Sequence, residues 1–272
     1  GSMVVNLFRL IVGFFFLTVF AWIYRGMILP TDASSRTWIL LMISGLIGFV
    51  FGDLCLFQAF VVIGARISML IMALAPPITA LISYFALGEV LSPKSWIAMM
   101  LTIGGIALVV LKRGDKEADS GKNGKVKFSY PIWGILLALG GAVGQGAGLV
   151  LSKYSMHHYD AFASAQIRVI AGIAGFILIF FIKGHWGVAW RSLSNTRAMY
   201  QLSLGAFFGP FLGVSFSLIA VQNTSAGIAS TIMALVPILI IPPTVLLFKE
   251  KVNLKEVLGA FMAVGGVALF FM

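Results

Sequence analysis

The 272-residue chain is 60% hydrophobic and only 10% charged, with a mean hydropathy of +1.03. A soluble globular domain carries about 25% charged residues, so a chain this poor in charge cannot cover itself with solvated side chains and must lie largely in lipid. Its net charge of +10 is no sign of nucleic-acid binding, because the basic residues fall between apolar segments, where anionic headgroups attract them. The single cysteine, Cys55, sits inside an apolar run. It cannot form an intrachain disulfide and suits a small buried hydrophobe.

Gly1-Ser2 ahead of Met3 reads as a cleavage remnant and takes no part in the fold reasoning. The first apolar segment contains Arg9 and lacks a small-residue cleavage pattern, so it is not a removable signal. A membrane helix needs roughly 20 mostly apolar residues. Segments 5–27, 38–62, 66–87, 93–111, 131–153, 160–182, 199–220, 225–248 and 254–272 meet that need, which predicts an all-α integral membrane bundle of nine transmembrane helices. Their glycines and prolines would count against long helices in water but are tolerated in lipid. Most connections are tight. The polar, Lys-rich stretch 112–130 is the expected linker between two halves, 3–111 and 131–272, and the loop Lys183 to Arg197 carries Trp186 and Trp190 as interfacial candidates.

The halves repeat. At a constant spacing of 161 residues Ala75-Pro76 pairs with Val236-Pro237, Glu89 with Glu250, and Gly104-Gly105 with Gly265-Gly266. ISMLIMALAPPITALI (67–82) runs parallel to IASTIMALVPILIIPP (228–243), and IGGIALVVL (103–111) to VGGVALFFM (264–272). Several matches at one offset indicate an internal duplication. Arg9 then corresponds closely to Arg168, which leaves segment 131–153 without a counterpart. The inferred parent has ten helices, with a missing first helix upstream of Met3. Five crossings per complete repeat make the second enter from the opposite face, and inverted repeats around a midplane site recur in secondary transporters.

Basic residues weight one side of the predicted bundle through Arg66, the six Lys or Arg of 112–129, Lys183, Arg191, Arg197, Lys249, Lys251 and Lys255. The positive-inside rule places that side in the cytoplasm, with the N-terminus, and the C-terminus outside.

With its Arg near a helix start (Arg9, Arg168), its proline-centred helix (LAPPITALI, LVPILII) and an acidic turn before a GG-containing closing helix in each half, the chain resembles the drug/metabolite transporter superfamily, specifically the EamA-type permeases. The resemblance covers essentially the whole chain. It implies two inverted five-helix repeats around a central cavity, and export or exchange of small metabolites or drugs, with amino acids among the solutes. It also implies residence in the plasma membrane, in a bacterium the inner membrane. The family arrangement places both termini of a ten-helix protein in the cytoplasm, in conflict with the charge count. The membrane glutamate of the four-helix small multidrug exporters has no match here.

Polar groups at membrane depth mark candidate sites. Arg9 and Arg168 are each a candidate either for attracting a carboxylate or phosphate or for a snorkelling topology anchor; their short distance from helix ends favours the anchor, and Arg168, deeper in its segment, is the better functional candidate of the two. Asp53, the only acid inside an apolar run, is either a proton-coupling carboxylate or a fixed partner to a basic or backbone donor. Gln145, among small residues, is a candidate solute-binding amide or a packing residue. Tyr84, Ser215, Ser217, Trp22 and Tyr24 are further cavity candidates. Pro76, Pro77, Pro237, Pro242 and Pro243 interrupt helical hydrogen bonding, either freeing carbonyls toward a cavity or forming a shared bend. The latter is favoured by their recurrence.

No HExxH, P-loop, serine elbow or carboxylate pair is present in the sequence, so neither an enzyme nor a cofactor is expected, and metal binding by His157-His158 is not expected either. Active transport would then draw on an ion gradient, a coupling proton included, or on exchange. The competing readings are a lipid scramblase or a non-transport membrane scaffold, then an intramembrane enzyme. The sequence leaves solute, direction and coupling ion open.

Overall fold

A chain in hydrocarbon must satisfy its backbone hydrogen bonds internally, and helices do so without a partner strand. The computed structural model describes residues 2–118, 131–184, 196–239 and 254–269, and these are helical nearly throughout. In chain order they form α1 (Ser2–Arg25), α2 (Ser35–Gly64), α3 (Ile67–Leu87), α4 (Pro93–Ala118), α5 (Ile132–Met156), α6 (Ala161–Lys183) and α7 (Thr196–Asn223). Next come α8, described over Ala226–Met233 and Val236–Leu239, and α9 (Leu254–Ala268). Six helices among the described residues (α1, α2, α3, α5, α6 and α7) are long and apolar enough to cross a membrane, while α4 and α9 carry shorter apolar stretches, Pro93–Leu108 and Val257–Ala268. Bulky residues such as Phe15, Ile23, Phe85, Phe181 and Phe261 are more than half exposed, as a lipid-facing surface requires. The chain is an integral membrane protein. Pro242, Pro243 and most of the expected linker lie outside the described residues, and α4 extends through Ala118 into the segment read as linker.

Local chemistry sets the helix ends. The Ser34 hydroxyl accepts from the Thr37 amide and Asp160 from the Ala163 amide at 2.8 Å, capping α2 and α6. Glu89 accepts from the Ala226 amide at 2.9 Å and so caps α8 from the turn after α3. Gly64, at φ 79°, breaks the path between α2 and α3 in a conformation that other residues rarely adopt.

Two irregularities recur at the 161-residue spacing. Leu46–Gly52 in α2 and Phe207–Gly213 in α7 are both seven-residue π-helical segments. Ala73-Leu74 and Ala234-Leu235 both interrupt their helices, which resume at Ala75 and Val236. Pro76 therefore stands in the first turn of a new helical segment, where proline's missing N–H costs nothing.

The chain divides into two compact units. The first comprises Gly1–Leu54 with Ala147–Thr224, and the second Cys55–Gly146 with Ser225–Met272. Each draws on both halves of the sequence. In the first unit, Leu10, Leu17, Leu41, Ile167, Phe176, Phe180 and Leu218 form a buried core. There α1 and α6 are antiparallel: the Gln166 amide donates to Thr18 at 3.0 Å and to the Ile28 carbonyl at 2.8 Å, while Gly172 packs on Leu10.

In the second unit α4 and α9 are likewise antiparallel, Ala98 meeting Gly266 and Gly105 meeting Gly259. A Cβ on Gly105 would come within 2.5 Å of the Ala263 amide nitrogen and the Gly259 carbonyl oxygen, so only glycine allows the approach. Gly104, its neighbour in the repeated GG pair, faces open space except for the Met262 methyl at 4.0 Å. Gly105→Val is therefore expected to lower the thermal midpoint in detergent, at a cost of about 1–3 kcal/mol or more, while Gly104→Ala leaves it unchanged. Size-exclusion of heated samples reads both.

Candidate functional site

The first unit places three ionisable side chains on α1, α2 and α6, with Asp53 and Arg168 buried and Arg9 half-buried. Counting 1.5 Å per residue, Arg9 lies about 9 Å along α1 from Met3, and Arg168 about 10 Å along α6 from Ala161. Because α1 and α6 are antiparallel, the two arginines approach the interior from opposite ends.

Arg9 Nη2 donates to Asp53 Oδ2 at 2.7 Å, in an ion pair whose carboxylate side chain is 7% exposed against 27% for the arginine. Asp53 stands immediately after the π segment of α2. Arg168, only 5% exposed, has no comparable carboxylate contact among the described residues. Its guanidinium carbon lies 5.0 Å from the centre of the Phe49 ring, in cation–π range. Its Nη2 is 3.1 Å from where a Cβ on Gly48 would stand, and Nε has no hydrogen-bond partner among the described residues. Asp53 acts on Arg168 only as a more distant charge.

Small residues make this approach possible. Gly45 lies against the Arg168 backbone, and Gly48 backs onto Gly148 of α5, where a Cβ would stand 3.1 Å from the Gly48 Cα. The Ser44 hydroxyl bonds to the Gly148 carbonyl and to Ser152, both at 2.6 Å, pinning α2 to α5. Beside this seam Phe16, Phe20, Phe162, Phe207 and Phe211 form a ring cluster, Phe20 and Phe162 being the closest at 4.3 Å between centroids.

At the rim of the same unit, Arg25 pairs with Asp32 at 2.5 Å, and the Tyr159 hydroxyl donates to Asp32 at 2.9 Å. Burial, and then the Asp32 carboxylate that accepts its proton, push the Tyr159 phenol up to about 12 against the opposing pull of Arg25. Burial opposes ionisation of Asp32, but the Tyr159 hydroxyl, its own amide and Arg25 outweigh it and hold that carboxyl below its ordinary range.

The other sequence candidates scatter. Ser215 is buried with its hydroxyl unpartnered among the described residues, whereas Ser217 donates to the Gly213 carbonyl of its own helix at 2.6 Å. Trp22 and Tyr24 are exposed on α1. Gln145 is half-buried in the second unit, where Tyr84 is exposed beside Phe85, Pro76 is buried and Pro77 half-buried. Pro237 is placed by its backbone in the helix that resumes at Val236. No group of His, Cys, Asp or Glu among the described residues could hold a metal. Sequence reading passed over Gln166, Phe49, Ser44 and Ser152. For the first, an amide in AFASAQIRV was visible. For Phe49 nothing in the sequence pointed to Arg168.

Apolar helices of membrane-spanning length, with an Arg9–Asp53 ion pair and a buried Arg168 within those of the first unit, define a polytopic membrane protein. The profile of the EamA-like transporter family matches residues 1–111 and 132–272, one stretch in each half, and the chain belongs to that family. It therefore moves small molecules across a membrane and is not an enzyme. An uncharacterized transporter of Bacillus subtilis (strain 168), YdfC, is 24% identical over 266 residues, spanning 98% of this chain and 80% of that protein. A solved crystal structure superposes with a TM-score of 0.69 at 15% identity, covering 98% of this chain and 87% of its own, which shows a shared fold.

Two outcomes test this geometry. Asp53→Asn leaves Arg9 without its carboxylate and is expected to destabilise the protein by about 3 kcal/mol, with the double variant Arg9→Gln/Asp53→Asn losing less than the two single losses combined, as read from thermal unfolding in detergent. Because folding raises the Tyr159 phenol from its ordinary 10.0 to about 12, its contribution is whole below pH about 10 and disappears as pH climbs through 12. Tyr159→Phe is expected to remove that alkaline step from the unfolding midpoint.

Proposed function

We propose that this chain is a secondary transporter that moves small metabolites or drugs, with amino acids as one candidate class, by alternating access through a central cavity. The reading takes 3–111 and 131–272 as inverted repeats of a ten-helix architecture, joined by 112–130, with a helix equivalent to α5 completing the first repeat. The antiparallel pairing of α1 with α6 and of α4 with α9, equivalent helices of the two halves, supports the inversion.

The observation that carries the mechanism is the Arg9–Asp53 ion pair with Arg168 nearby, all within membrane-spanning helices. Charges at that depth are costly and belong where solute or a coupling ion passes. A proton on Asp53 would weaken its hold on Arg9, offering a coupling step that needs no nucleotide. The paired π segments of α2 and α7 supply loosened helix at matching positions in the two repeats, and such segments often mark moving or functional parts of helices.

In proteoliposomes challenged with a metabolite and drug panel, the wild-type chain is expected to show saturable uptake or counterflow. Arg168→Ala and Asp53→Asn should insert normally yet slow it by about tenfold or more, the scale of a lost charge-assisted hydrogen bond. If no solute moves, the reading fails. Wild-type rates in both variants would remove these residues from the mechanism.

A further inference from the structure

Three positions in the first unit concentrate unusual chemistry at one place. Arg168 is buried to 95% with Nε unpartnered among the described residues, its ring contact is Phe49, and Phe49 lies inside the π segment Leu46–Gly52. Phe49 offers the face of a π-system but no hydrogen-bond acceptor. The Arg9–Asp53 pair is neutral in sum, so the described ionisable groups of this cluster leave a net single positive charge on Arg168 at membrane depth. A guanidinium presents five donors in a planar fork that matches carboxylate and phosphate oxygens.

We infer that Arg168 is an oxyanion seat and that the transported solute binds there through a carboxylate or phosphate group, with Asp53 as a built-in competing carboxylate. Calling the bound anion a substrate rests on the transport reading above, whereas the seat itself does not. Phe49 and Gly48 cover the Arg168 guanidinium from one side, while Gly45 meets only the Arg168 backbone, so the anion reaches it when the π segment shifts. Asp53, one residue beyond that segment, moves with it. The occupied state then holds the anion on Arg168, and the empty state leaves the nearby Asp53 charge as its partial compensation.

Gln166 does not belong to the seat. Its amide is engaged by Thr18 and the Ile28 carbonyl. Ser164, one turn before Arg168 on α6, is fully buried with its hydroxyl unpartnered among the described residues, and is the nearest neutral donor on the same helix face. It provides a second contact of the kind a carboxylate needs.

The test uses the purified full chain in a neutral detergent, with succinate, inorganic phosphate, alanine and choline as probes and each variant's shift measured against its own probe-free midpoint. Succinate or phosphate is expected to raise the thermal midpoint, and choline to leave it unmoved. In Arg168→Gln the anion shift should vanish. In Arg168→Lys, which keeps the charge but loses the fork, apparent affinity should fall by about tenfold. In Asp53→Asn it should rise, since the competing charge is gone, and the gain should be lost in Asp53→Asn/Arg168→Gln, whereas an anion held by the unpaired Arg9 would keep it.

A second arm compares phosphatidylglycerol with phosphatidylcholine nanodiscs. A shift with phosphatidylglycerol alone, lost in Arg168→Gln or weakened in Arg168→Lys, would keep the seat but make a lipid headgroup its source and overturn the solute assignment. If Arg168→Gln fails to fold, Arg168→Lys and Asp53→Asn decide. Anion shifts of wild-type size in the folded Arg168 variants, or none in the wild type, overturn the proposal. Uptake of alanine or choline without any anion effect would sink the seat while leaving transport intact. An Arg168-dependent anion shift with no uptake of any solute would sink transport while leaving the seat.

Discussion

Hydrocarbon cannot solvate a guanidinium, so a buried arginine must find its solvation in protein, and in the first unit the packing around Arg168 follows from that need. Phe49 supplies a negative ring face, Gly45 and Gly48 let α2 close upon α6, and Asp53 holds a counter-charge nearby. Replacing any of these with a bulky apolar residue would leave the charge worse off than before. The same requirement explains the contrast with Arg9, which has its carboxylate at 2.7 Å and reaches a more open environment.

Most other polar side chains in the helices are satisfied locally. The hydroxyls of Ser68, Thr79, Thr102, Ser152, Ser155, Ser217 and Thr231 each bond to the carbonyl four residues earlier. Such bonds solve a problem inside one helix and say nothing of a ligand. Against that background the unpartnered buried atoms of Asn6, Ser164, Gln166, Arg168 and Ser215 in the first unit, and of Ser225 in the second, stand apart among the described residues. In the second unit cohesion comes from contact instead: with no aqueous exterior to drive apolar surfaces together, helices gain from close approach, and Gly105 and Gly266 bring α4 and α9 to backbone distance.

Some irregular elements recur between the halves of the sequence, but the charges do not all recur with them. The π segments and the breaks before Ala75 and Val236 recur between halves at one spacing, and Arg168 falls within two residues of the position equivalent to Arg9. Asp53 does not recur: the residue at the repeat spacing is Val214. One half thus holds an arginine with its counter-ion and the other an arginine without one.

Hydropathy was enough to read the membrane class and the helix order, because lipid imposes length and composition on every span. The family motifs in each half were equally legible. What folding decided was who meets whom. Asp53 could have served a proton or a basic partner, and only the placement of α1 beside α2 put Arg9 against it. Gly104 and Gly105 look alike in sequence, yet the rotation of α4 turns just one of them into the α9 contact. The π segments escaped notice because extra residues in a helix shift hydrogen bonds without altering composition. The Arg168 environment escaped for a deeper reason: it is made by residues more than a hundred positions apart, brought together by packing that no local pattern encodes.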